Sequence, residues 1–107
     1  MASFKLGEVV LVKFPFTNGI GFKKRPALAI KDTNDGDVVV CRITSKLYSS
    51  PYDVSLKTWQ QSGLQLPSVI RVHKIASLEK NMIDKKLGDV DANAKAQVIS
   101  AIQKLLS

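Results

Sequence analysis

Short apolar runs separated by polar turns dominate the first half of the chain. The runs are rich in Val, Ile and Thr, whose branched side chains pack well on the pleated surface of a sheet. Between two of the runs the sequence reads D-T-N-D-G-D, which is typical of a tight hairpin turn. A longer run follows Pro67 further along the chain. The pattern therefore predicts strands at residues 8–14, 26–31, 38–43 and 68–75.

Four other segments are less regular. Residues 15–25 contain two closely spaced glycines and are predicted to form a mobile loop. Residues 52–56 alternate between polar and apolar and suggest a short strand, and residues 57–62 suggest a helical turn. Residues 78–88 fit both a short helix and a short strand.

The C-terminal segment has the pattern of an amphipathic helix over residues 91–106, and Asp91 is suited to cap its first turn. Several short strands followed by one helix indicate a mainly β fold. We expect a small, strongly bent antiparallel sheet or half-open barrel with the helix packed on it, as a single domain over residues 1–107. The apolar stripe of the helix consists of Ala94, Val98, Ile102, Leu105 and Leu106.

Composition excludes several classes of protein. The chain has 107 residues, with 16 Lys and Arg against 9 Asp and Glu, and a net charge of +7. Such a basic balance favours a polyanionic partner. One cysteine, Cys41, and one histidine, His73, exclude an intrachain disulfide and a site built from several Cys or His ligands. We expect no metal, no cofactor, no signal peptide, no membrane span and a cytoplasmic location.

The densest basic cluster is Lys23-Lys24-Arg25, directly before Pro26. Solvated lysines kept for solubility would explain a loop of this kind. Arg25 is different, because the following proline restrains its backbone and because a guanidinium can bind a phosphate through two parallel hydrogen bonds.

Several motifs in a fixed order resemble the PemK/MazF family, the ribonuclease toxins of bacterial toxin–antitoxin pairs. The resemblance implies an SH3-like barrel with a C-terminal helix, metal-independent cleavage of single-stranded RNA, a homodimer, and inhibition by an antitoxin with an acidic tail. The motifs are G-E-V-V-L-V-K-F-P-F-T at 7–17, K-K-R-P-A-L-A-I at 23–30, I-T-S at 43–45, S-V-I-R-V-H-K-I-A-S-L-E-K at 68–80 and K-K-L-G at 85–88.

The resemblance implies that Arg25 and Thr44 are the catalytic residues. RNA is cut without a metal when a 2′-OH attacks the adjacent phosphate, and this reaction needs charge stabilisation on the phosphorane. Arg25 carries its positive charge at any physiological pH, so it is a poor general base. Thr44 can donate its hydroxyl to a phosphate oxygen. Ser45 is the alternative hydroxyl for that contact.

Further candidates would bind the substrate. Lys23, Lys24, Lys46 and Arg71 are cations suited to position phosphates. Phe22 is suited to stack a base, or equally to anchor the loop against the barrel.

His73 is also a candidate to bind the substrate, and imidazole is a common general acid or base. We favour a position for it on the surface or at a dimer face, because it is not a motif residue of the family. Many members carry an acidic residue and glutamine where this chain has His73 and Lys74, and arginine where it has Ala76. The sequence preference for RNA therefore cannot be transferred.

Because positions 73, 74 and 76 differ from the family pattern, the sequence is also compatible with a second function. The alternative is a non-catalytic SH3-like binding module, or a decayed toxin that binds RNA or poisons a protein target such as DNA gyrase.

Overall fold

Strands make up most of the chain in the computed structural model, which describes residues 3–15 and 19–107. The strands are β1 (Glu8–Pro15), β2 (Phe22–Asp32), β3 (Asp37–Thr44), β4 (Asp53–Leu56), β5 (Ser68–Glu79) and β6 (Ile83–Asp89). They form one antiparallel sheet in the order β4-β5-β3-β2-β1-β6. A 3₁₀ turn (Lys80–Met82) joins β5 to β6, and the helix α1 (Ala92–Leu105) follows. The predicted mainly β fold with a C-terminal helix is confirmed.

The hairpin of β1 and β2 extends further than the apolar pattern predicted. β2 begins at Phe22 rather than at Pro26, and Lys24 and Arg25 pair with Lys13 and Val12 of β1. The prediction of a mobile loop is therefore wrong for residues 22–25, because backbone pairing continues beyond the apolar run. The loop residues 16–18 lie outside the described part of the chain.

Two apolar clusters lie on opposite faces of the sheet. Val9 and Leu28 belong to the cluster under α1, whereas their chain neighbours Val10 and Ala27 belong to the cluster on the other face. This alternation follows from the two-residue period of a strand. Cys41 lies in the first cluster, and burial raises the pKa of its thiol to about 12.

The helix stripe is confirmed except at its last residue. Ala94 and Val98 are buried, and Ile102 and Leu105 pack against the core. Leu106, the capping residue that follows α1, is 83% exposed. Asp91 caps the helix as predicted, since its carboxylate accepts a hydrogen bond of 2.7 Å from the backbone of Ala94.

A bulge interrupts β5 where it crosses β3. Cys41 pairs with Ile75, but the next residue, Arg42, pairs with Arg71, so residues 72–74 are additional in β5. The bulge bends β5. It separates the residues of β5 that pair with β4 from the residues that pair with the start of β3.

The segment 57–66 packs on β6 through a very close backbone approach. It forms hydrogen-bonded turns that end at Gly63, which has φ +82°. A Cβ at Gly88 would lie 2.6 Å from the carbonyl carbon of Ser62, so a larger residue does not fit there. This contact fixes the position of the segment against the sheet.

Candidate functional site

An open pocket of about 420 Å³ lies where the ends of β2 and β3 face the segment 57–66. Basic and hydroxyl side chains line one side, and residues 63–66 line the other. Its lining residues that bear on the chemistry are Lys23, Lys24, Arg25, Thr44, Ser45, Gln65 and Lys85.

Arg25 reaches this pocket because the register of the sheet places it beside the end of β3. Ala27 pairs with Arg42, so two residues further along the hairpin Arg25 lies level with Thr44. Arg25 is exposed, and in the described part of the chain no acidic side chain forms an ion pair with it. Its charge is therefore uncompensated and available to an anion.

Thr44 is the last residue of β3 and is half-buried. Its Oγ1 accepts a hydrogen bond of 3.2 Å from the backbone N–H of Lys46. Because that bond uses a lone pair of the oxygen, the hydroxyl proton remains available to donate. Ser45 lines the same pocket and is exposed.

The lysines of the pocket come from two strands. Lys24 forms an exposed ion pair of 3.1 Å with Asp84, whereas Lys23 forms none among the described residues. Lys85 was not among the sequence candidates. It lies in β6, which pairs Lys85 with Leu11 of β1, and only this non-local pairing brings it to the pocket.

Arg25 also borders a second, mainly apolar pocket of about 530 Å³. Arg42 and Lys74 are its other cations, and Ile75 in its lining is 49% exposed. Arg42 is a further residue that sequence reasoning missed. The signal was present, because Arg42 is a charged residue within an apolar strand, two positions before Thr44.

Arg71 does not line either pocket. Its Nε donates a hydrogen bond of 2.9 Å to Oδ1 of Asp53, whose side chain is 1% exposed. Burial alone would raise the pKa of Asp53, but the hydrogen bonds from Arg71 and Ser50 hold that pKa below its usual range. The guanidinium of Arg71 also stacks on the ring of Tyr48, 3.6 Å from its centre. The ammonium of Lys46 lies 5.1 Å from the same ring centre.

Phe22 and His73 also lie outside both pockets. Phe22 pairs with Pro15 at the start of β2 and is 52% exposed. The ring of His73 lies 5.6 Å from that of Tyr52, and its Nδ1 is buried without a hydrogen-bond partner. The structure thus brings Lys23, Lys24, Arg25, Thr44 and Ser45 together in one pocket and places Phe22, Lys46, Arg71 and His73 elsewhere.

The fold and the site define a small basic β protein with an open, cation-lined pocket. The family model of the PemK-like, MazF-like toxins of type II toxin–antitoxin systems matches residues 5–106. The chain therefore belongs to this family. In the described residues, no helix is both long and apolar enough to cross a membrane.

Several solved toxin structures have the same fold as this chain. The MazE–MazF complex of Deinococcus radiodurans matches with a TM-score of 0.81 and 21% identity, over 99% of this chain and 97% of that chain. A mycobacterial endoribonuclease in complex with its cognate antitoxin matches with a TM-score of 0.77 and 19% identity, over 97% and 95% of the two chains. The toxin MazF-mt6 of Mycobacterium tuberculosis matches with a TM-score of 0.72 and 18% identity, over 91% and 95%. No curated protein sequence matches the chain significantly.

Proposed function

We propose that this protein is an endoribonuclease toxin that cleaves single-stranded RNA at the pocket of Arg25 and Thr44. The observation that carries the proposal is the meeting of a guanidinium and a hydroxyl, from separate strands, in one open pocket, where no described acidic side chain pairs with the guanidinium. Membership of the toxin family and the similarity to a mycobacterial endoribonuclease support it.

The proposed reaction is a transesterification at phosphorus. The 2′-oxygen forms a bond to the adjacent phosphorus, the bond to the 5′-oxygen breaks, and the products carry a 2′,3′-cyclic phosphate and a 5′-OH. The 2′-OH gives its proton to solvent water in the open pocket, and the leaving 5′-oxygen gains one from Arg25, which solvent protonates again. Arg25 stabilises the negative charge on the phosphorane and can protonate the leaving oxygen, and Thr44 donates its hydroxyl to a phosphate oxygen.

We further propose that no metal ion takes part. A dissociable cation would serve to neutralise charge on the phosphate, and Arg25 supplies a permanent positive charge at that place. His73 is not assigned a catalytic role, because it lies outside the pocket.

Lys23, Lys24 and Ser45 would hold the RNA backbone, together with Lys85. These side chains line the same pocket as Arg25, which suits the binding of several phosphates of one strand. Phosphate contacts of this kind position a strand without reading its sequence.

The proposed partners are an antitoxin and a second copy of the chain. The solved relatives from Deinococcus radiodurans and a mycobacterium are complexes with antitoxins. The net charge of +7 favours an acidic antitoxin segment that folds onto the cationic pocket. A homodimer would cover the exposed apolar surface around Ile75. We place this activity in the cytoplasm, where cellular RNA is available.

The experiment compares RNA cleavage by the purified protein, Arg25→Ala and Lys31→Ala. Lys31 is a matched control, because it is an exposed cation of the same strand outside both pockets. We expect Arg25→Ala to lose roughly 10²- to 10³-fold in cleavage rate, the typical cost of removing one charge-stabilising donor. Lys31→Ala should cleave at the rate of the wild type. Equal rates for Arg25→Ala and the wild type, or an inactive wild type, would overturn the proposal.

A further inference from the structure

Tyr48 lies on the loop that follows β3, with one face of its ring stacked on a guanidinium. The central carbon of the Arg71 guanidinium is 3.6 Å from the ring centre, which is van der Waals stacking distance. Tyr48 itself is half-buried, so part of the ring remains accessible to solvent. This arrangement supports the ring from one side.

The Arg71 guanidinium that supports the Tyr48 ring is held in place by Asp53. Asp53 accepts a hydrogen bond of 2.9 Å from Nε of Arg71 through Oδ1, and one of 2.8 Å from the backbone of Ser50 through Oδ2. The side chain of Asp53 is 1% exposed, so water competes little for these bonds. A ring stacked on a guanidinium held in this way loses little further freedom when a ligand stacks on it.

The ring lies beside the proposed catalytic pocket. In the β3–β5 ladder Thr44 pairs with Val69, and Arg42 pairs with Arg71. Arg71 is thus two ladder positions from the level of Thr44, which is about 7 Å along the strands. Ser45 lines the pocket and precedes Tyr48 by three residues, a separation of at most about 11 Å.

Cations surround the ring. The ammonium of Lys46 is 5.1 Å from the ring centre, and Arg42 is the ladder partner of Arg71. Lys46 beside the phenol lowers the pKa of Tyr48, and so, to a smaller extent, do the charges of Arg71 and Arg42. An aromatic surface among cations is suited to a ligand that carries both a flat base and a phosphate.

We propose that Tyr48 is a stacking site for the base of a nucleotide adjacent to the cleaved phosphate, and that Arg42 and Lys46 bind the phosphate of that nucleotide. This inference rests on the proposed function, because it extends the path of the same RNA strand. It also gives Lys46 and Arg71 separate roles: Lys46 contacts RNA, whereas Arg71 supports the ring.

The test measures binding of two uncleavable single-stranded oligonucleotides of equal length by fluorescence anisotropy. Both carry 2′-O-methyl riboses; one has adenine at every position, and the other is abasic. Tyr48→Leu removes the aromatic ring but keeps apolar bulk over Arg71, and Tyr48→Phe keeps the ring without the hydroxyl. Thermal unfolding of each variant checks that the fold is retained.

We expect Tyr48→Leu to bind the adenine oligonucleotide roughly 5- to 100-fold more weakly than the wild type, the range given by the loss of one base–aromatic stack. Binding of the abasic oligonucleotide should not change, and Tyr48→Phe should restore binding of the adenine one. The dependence of binding on salt should stay the same, since neither substitution alters charge. Unchanged affinity of Tyr48→Leu for adenine, or equal weakening for both oligonucleotides, would overturn the stacking site.

Failure of the proposed function gives a different result. In that case the wild type leaves unmodified RNA intact, whatever the two oligonucleotides show. A wild type that cleaves RNA while Tyr48→Leu binds both oligonucleotides normally would refute the stacking site alone. A wild type that binds neither oligonucleotide and leaves unmodified RNA intact would refute both.

Discussion

The proposed role of Arg25 depends on what surrounds it as well as on its own chemistry. It is exposed, it lies level with Thr44, and no described acidic side chain neutralises it. The R-P and I-T-S motifs identify both residues in the sequence. Tyr48 and Lys85 carry no comparable local signal, because strand pairing and stacking determine where they lie.

Asp32 has a structural role that also depends on its neighbours. Its carboxylate contacts the Lys80 ammonium at 2.9 Å and accepts hydrogen bonds of 3.0 Å from the backbones of Phe4 and Asn34. These contacts, with Lys80 the largest contributor, lower the pKa of Asp32 from 3.8 to about 2. Asp32 thereby links the N-terminal segment, the β2–β3 turn and the turn before β6.

Acid should remove this contribution to stability. The folded pKa is depressed, so between pH 3.8 and about 2 the unfolded chain binds more protons at this group than the folded chain. The stabilisation by Asp32 is therefore present above pH 3.8 and is lost as the pH falls through about 2. We expect Asp32→Asn to be less stable than the wild type at neutral pH, and the difference to shrink across this window in urea unfolding. A difference that does not vary with pH would contradict this assignment.

At the scale of the elements, the pocket depends on contacts between distant segments. The sequence pattern predicts most strands and the helix, because their apolar periodicity is local. It misses residues 22–25 of β2 and the bulge in β5, because pairing with neighbouring strands determines both. Residues 63–66, which form one wall of the pocket, are likewise positioned by β6, through the close approach of Gly88 to Ser62.

The substitution Gly88→Ala tests whether this contact holds the wall of residues 63–66 in place. The new Cβ would lie 2.6 Å from the carbonyl carbon and 2.7 Å from the carbonyl oxygen of Ser62, so the segment must move away from the sheet. We expect the free energy of unfolding to fall by about 1–3 kcal/mol, as it does when a packed region is overfilled. We also expect the rate of RNA cleavage to fall. Thermal unfolding and the RNA cleavage rate measure the two effects.

Gly36→Ala is the control for stability alone. It strains the β2–β3 turn, where φ is +94°, but its Cβ would meet no atom within 4 Å. It should lower stability without slowing cleavage at a temperature where the protein is folded. A Gly88→Ala protein with normal stability and normal cleavage would show that the wall is not fixed by this contact.

At the scale of the whole molecule, charge and exposed apolar surface favour association. The net charge of +7 suits RNA and an acidic antitoxin, and Ile75 remains 49% exposed beside the second pocket. We expect a homodimer in solution, with twice the chain mass of 11.7 kDa by light scattering at micromolar concentration. The mass of a single chain under these conditions would contradict the dimer.

The most direct test of the account is the chemistry of the RNA ends produced in the presence of EDTA. A mixed-sequence single-stranded RNA is incubated with the antitoxin-free protein, and the termini of the fragments are identified by mass spectrometry. Transesterification supported by Arg25 predicts fragments with 2′,3′-cyclic phosphate and 5′-OH ends, formed roughly 10²- to 10³-fold more slowly by Arg25→Ala. Intact RNA, or fragments that carry 5′-phosphates, would contradict the mechanism.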